Sequence, residues 1–97
     1  MIRFVVLLDY TQQGIAKVAE TLSRAEAFKV EAKKAGVTVT SQYWTSGGHD
    51  GVLTLESPDE QSVSSLLLKL GSQGNMRSQM LRAFDHAEME GILAKAR

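Results

Sequence analysis

The first apolar run of the chain, Ile2 to Leu8, places hydrophobic side chains at both parities. Phe4, Val6 and Leu8 fall on one face and Val5 and Leu7 on the other, which predicts a central strand covered on both sides. After Asp9 and Tyr10 the period lengthens. Ile15, Val18, Ala19 and Leu22 recur at helical spacing and predict a short helical piece over Thr11 to Leu22. Ser23-Arg24-Ala25-Glu26 then has the form of a capping box, with the Ser hydroxyl accepting from the third helical N–H and the Glu reaching back to the cap. A helix is expected from Arg24 to Ala35. Ala25, Phe28, Ala32 and Ala35 form its buried stripe, Lys29, Lys33 and Lys34 its wet side, and Gly36 supplies a left-handed stop.

Val37 to Thr45 is rich in β-branched residues and reads as a second strand, with Val37, Val39 and Tyr43 on one face and Thr38, Thr40, Gln42 and Trp44 on the other. Gly51 to Glu56 is a third strand with Leu53 and Leu55 on a shared face. The turn Ser46-Gly47-Gly48-His49-Asp50 between them has the glycines that a reversal with positive φ requires. Ser57-Pro58-Asp59-Glu60 forms a second capping-box pattern with Pro at the first helical position, opening a helix that buries Val63, Leu66, Leu67 and Leu70 and stops near Gly71. Gly71 to Asn75 is a turn, Met76 to Phe84 a fourth strand, and His86 to Ala96 a terminal helix using Ala87, Ile92 and Leu93.

The order is βαββαβ plus a terminal helix, all within a single domain of 97 residues that carries no repeat or linker. That is the ferredoxin-like α+β arrangement, an antiparallel four-stranded sheet with two helices on one face. The opposite face has no helix to cover it, yet strand one is apolar on both sides. A homodimer packing sheet on sheet is the simplest cover, with a fold-back of the terminal helix as the alternative.

Charge narrows the partners. Lys plus Arg and Asp plus Glu are equal at 11 each, so no net field draws the chain to nucleic acid or to an anionic membrane. The Phe4–Leu8 run is too short for a signal-peptide core or a membrane span. The absence of Cys removes thiolate nucleophiles and thiolate metal sites and suits a reducing compartment, so a cytoplasmic location is expected. No cofactor is called for.

Candidate chemistry concentrates at the hairpin turn. His49 can move a proton at physiological pH and Asp50 can orient it, as a general base requires; the alternative is that Asp50 bonds backbone N–H groups while His49 sits at the solvated rim. Tyr10, Tyr43 and Trp44 can line a small-molecule pocket or serve as core and dimer contacts. Arg24 and Arg77, with Arg82, can bind an anionic group or act as surface charges. Asp85, His86 and Glu88 are too few and too dispersed for a metal site and suit helix capping better.

Phe4-Val5-Val6-Leu7, Tyr10-Thr11-Gln12-Gln13-Gly14-Ile15, Arg24-Ala25-Glu26-Ala27, Gly47-Gly48-His49-Asp50, Gly74-Asn75-Met76-Arg77 and Leu81-Arg82-Ala83-Phe84 resemble the GYD domain family over nearly the whole chain. The resemblance implies a ferredoxin-like fold similar to that of the dimeric α+β barrel proteins. The family's Gly-x-Tyr-Asp motif reads Gly47-Gly48-His49-Asp50 here, with His in place of Tyr. Two functional readings follow. The first is a homo-oligomeric binding or regulatory module with a small-molecule pocket and no catalytic motif. The second is a cofactor-free isomerase or monooxygenase in which His49 moves a proton, Asp50 orients it and an Arg holds an anionic substrate.

Overall fold

The computed structural model describes residues 1–97. Strand β1 (Ile2–Tyr10) lies inside an antiparallel sheet of order β2-β3-β1-β4, between β3 (Gly51–Ser57) and β4 (Met76–Ala83), with β2 (Thr38–Trp44) at the far edge. Helices α2 (Thr21–Lys34) and α3 (Glu60–Ser72) cover one face. There Phe4, Val6 and Leu8 meet Leu53 and Leu55 from β3, Phe28 and Ala32 from α2, and Val63, Leu66 and Leu67 from α3. This is the ferredoxin-like α+β fold that the pattern predicts. No helix is long and apolar enough to cross a membrane.

The sequence misplaces several boundaries, each for a local reason. Thr11 to Leu22 is not one helical piece. A five-residue helix α1 (Gln12–Ala16), capped by the Thr11 side chain, breaks at Lys17 and gives way to a 3-10 turn, Val18–Glu20. Ile15 and Leu22 remain 53% and 66% exposed, and the buried residue of α1 is Gly14. Because that turn runs straight into α2, the helix needs no cap at Ser23, whose hydroxyl instead donates back to the Glu20 carbonyl at 2.9 Å. Ala35, expected in the buried stripe, is the exposed C-cap of α2. Gly36, with φ of 77°, does supply the left-handed stop.

Helix α3, by contrast, begins later than expected. Ser57 is held by β3, paired with Ile2 and fully buried, so Asp59 becomes the cap and accepts from the Ser62 N–H at 2.7 Å. Pro58 therefore stands before the cap rather than at the first helical position. The helix runs past Gly71, and Gly74 with φ of 84° makes the left-handed turn. Helix α4 (His86–Lys95) opens on a capping box formed by Asp85 and Glu88. None of its residues is buried, Ala87, Ile92 and Leu93 included. Its first turn is held to the sheet by ion pairs of Arg3 with Asp85 and Glu88 and of Arg82 with Glu88.

A bulge in β2 changes which aromatics share a face. Val39 stands opposite Leu55 and Ser41 opposite Thr54, so Thr40 is an extra residue and the parity reverses beyond it. Its hydroxyl and that of Ser41 both bond the Thr54 hydroxyl at 2.6 Å. In consequence Tyr43 parts company with Val39 and joins Val52 on the uncovered face, while Gln42 and Trp44 turn toward the helices beside Leu53 and Gly51. The uncovered face then presents Val5, Leu7, Val52, Leu81 and Tyr43 in adjacent positions, with no helix packed on it.

Candidate functional site

Three features meet at the end of the sheet where β1 and β2 finish and β3 and β4 begin. The first is a polar junction between the start of α1 and the turn before β4. Thr11 N–H donates to the Asn75 carbonyl at 3.1 Å and its hydroxyl to the Gly74 carbonyl at 2.6 Å. The Gln13 amide donates to the Gln73 carbonyl at 3.1 Å and to Asn75 Oδ1 at 2.9 Å. The backbones approach so closely that a Cβ on Gly14 would lie 1.9 Å from the Asn75 carbonyl oxygen. Arg24 reinforces the junction from α2, bonding the carbonyls of Lys17 and Gly14 and the Glu20 carboxylate.

The second feature is the Ser46–Asp50 turn. Thr45 closes it, its N–H donating to the Asp50 carbonyl at 3.0 Å and its hydroxyl to the His49 carbonyl at 2.6 Å. Asp50 then stitches the turn to β1: its N–H donates to the Leu8 carbonyl and its Oδ2 accepts from the Tyr10 N–H, both at 2.9 Å. The two adjacent side chains expected to act together are thus apart. His49 Nδ1 instead stands 3.2 Å from both carboxylate oxygens of Asp9, and the imidazole is 39% exposed. Asp9 on β1 stands directly opposite Arg77 on β4. Its role is hard to read from the chain, because the apolar run simply ends on it.

The third feature is a cleft of about 560 Å³, counted out to its open mouth, between the sheet and α2. Leu8, Phe28, Leu53, Leu70 and Met76 form its apolar lining. Tyr10, Arg24, Tyr43 and Trp44 border it, and Arg77 does not. Thr21 ties the mouth together: its hydroxyl bonds the Tyr10 phenol at 2.9 Å and accepts from the Trp44 indole N–H at 3.0 Å. Neither Thr21 nor Gln42, Gln73 and Asn75, which also border the cleft, stand out in sequence. Such residues become informative only once the bulge and the junction fix where they point.

One carboxyl has a displaced pKa. In the adjoining groove between α2 and α3, the Lys69 ammonium bonds Glu31 at 2.7 Å, and that hydrogen bond, its charge and the charge of Lys34 hold the Glu31 carboxyl below its ordinary value. No three His, Cys, Asp or Glu side chains converge as metal ligands would.

The GYD domain family matches residues 4–93. The chain belongs to that family. In this GYD domain, the stretches Tyr10–Ile15 and Gly74–Arg77 that carry the resemblance are the two halves of the junction, and Gly47–Asp50 is the turn. The domain is also similar to the glutamine synthetase and cystathionine beta-lyase binding protein of Thermus thermophilus. The two are 29% identical over 87 residues, which span 89% of this chain and 92% of that protein.

Proposed function

We propose that this GYD domain is a cytosolic, homo-oligomeric binding or regulatory module. Two copies cover each other's bare sheet faces, a small molecule occupies the cleft beneath Trp44, and the assembly docks on a partner enzyme. The observation that carries the binding role is the state of the charged groups around the cleft: Arg24 and Asp50 are both committed to bonds that hold the fold. Such a cleft is suited to holding a molecule rather than transforming it. The apolar row of Val5, Leu7, Val52 and Leu81 supports self-association, since monomers rarely leave such a patch bare. The partner enzyme is supported by the relative in Thermus thermophilus, which is named for binding two enzymes.

Native mass spectrometry of gently purified protein tests this reading. The expected spectrum shows a dimer, or a multiple of it, with retained small-molecule mass; a bare monomer at all concentrations would overturn it. The second reading, a cofactor-free isomerase or monooxygenase, draws on one geometry, the His49 imidazole held by Asp9. In it His49 is the base, Asp9 takes the orienting role first assigned to Asp50, and activity must vanish in His49→Ala.

A further inference from the structure

We infer that the cleft selects an uncharged planar ring system bearing a lactam-type edge, in which an N–H and a C=O lie side by side. The inference rests on the proposed small-molecule cleft and narrows what it takes. Both charged groups at its border already have partners within the fold. The Arg24 guanidinium bonds the Lys17 carbonyl at 3.1 Å, the Glu20 carboxylate at 3.4 Å and the Gly14 carbonyl at 3.4 Å, and Asp50 Oδ2 accepts from the Tyr10 N–H. An anion would have to draw Arg24 away from Glu20 and from the carbonyls that hold α1 in place, so the cleft offers it little.

The polar groups left over are neutral. Gln42 faces the helix side of the sheet opposite Leu53, and its carboxamide bonds no other group of the chain. The same is true of the Gln73 carboxamide, while Asn75 uses Oδ1 for Gln13 and keeps its amide N–H groups. A carboxamide presents one donor edge and one acceptor in a plane, which matches a lactam in two parallel hydrogen bonds. A carboxylate satisfies only the donors and a hydrocarbon neither, so of the three only the lactam replaces both the donor and the acceptor bonds that these groups otherwise make to water. Below these groups the floor of Leu8, Phe28, Leu53 and Met76 is apolar, and the Trp44 and Tyr10 rings flank the mouth. That suits the flat body of a fused ring.

Trp44 is the only Trp, so its indole N–H gives a single, assignable proton–nitrogen NMR signal at the mouth of the cleft. The test titrates that signal with quinolin-2-one, quinoline-2-carboxylate and naphthalene, in the intact protein and in Gln42→Met. The lactam is expected to bind at least tenfold more tightly than either other probe, and Gln42→Met to remove that preference; a hydrogen bond of about 1.4 kcal/mol corresponds to that factor. Equal affinities, or a preference for the carboxylate, overturn the lactam inference and leave the cleft standing. If none of the three moves the signal, the cleft reading falls with it.

Discussion

The junction at Gly14 and the turn at Gly47-Gly48 close the same end of the sheet, and they differ in what fixes them. Around Gly14, side-chain and backbone bonds from Thr11 and Gln13 converge on Gln73, Gly74 and Asn75, and the space for a Cβ is filled by a carbonyl oxygen. Around Gly48 nothing lies within 4 Å of the position a Cβ would take, and the turn hangs on the bonds of its two ends, Thr45 and Asp50. The same residue type therefore has two meanings in one chain. At the junction, glycine is a packing requirement. In the turn, Gly47 at φ of 120° serves the backbone path, and space around Gly48 is open. His49 stands next in the turn, and its one side-chain partner is Asp9 on β1.

The contrast is sharpest under substitution. Gly14→Ala drives a methyl into the Asn75 carbonyl and should cost about 3 kcal/mol, since the backbones must separate to admit it. Urea unfolding measures this, and a loss below about 1 kcal/mol would show that the junction yields. Asp50→Ala strips the acceptor from the Tyr10 N–H and should cost about 2 kcal/mol by the same measurement. Thr21→Val removes the hydroxyl shared by Tyr10 and Trp44; a loss of about 1 kcal/mol is expected, with a shift in Trp fluorescence as the indole N–H turns to water. Gly48→Ala should change stability by less than about 0.5 kcal/mol, and a larger loss would break the comparison from the other side.

The smallest effect is electrostatic. The Glu31 carboxyl has a lower pKa folded than its ordinary 4.5, so the stability it contributes is fully present above that value. It is lost as pH falls through the lower, folded pKa. Lys69→Met should flatten this acid-side slope slightly, because an exposed ion pair is screened by water and salt. Thermal unfolding at a series of acidic pH values reads it out.

The strands and the two covering helices are legible in the chain because their apolar periods are regular: Phe4, Val6 and Leu8 at period two, Val63, Leu66 and Leu67 at helical spacing. What misleads is periodicity without burial. Ile15, Val18 and Leu22 keep a helical spacing yet stay exposed, because Lys17 breaks the helix that would have aligned them. The caps at Ser23 and Ser57 fail for a different reason. A capping box is a local pattern, and both serines already belong to other structure: Ser23 lies inside α2, which begins at Thr21, and Ser57 in β3. Of the residues around the cleft, Tyr10, Arg24, Tyr43 and Trp44 stand out in the sequence, while Thr21, Gln42, Gln73 and Asn75 do not. The sequence cannot show that Asp9 rather than Asp50 reaches His49, since that contact spans β1 and the hairpin, or that the extra residue Thr40 sends Tyr43 and Trp44 to opposite faces.

The bare sheet face is the premise on which assembly rests, and sedimentation velocity tests it most directly. At micromolar concentration the protein should sediment as a dimer or a multiple of it. Leu7→Lys, at the centre of that face opposite Val52, should sediment as a folded monomer. A native protein that remains monomeric under these conditions would contradict the proposed pairing of sheets.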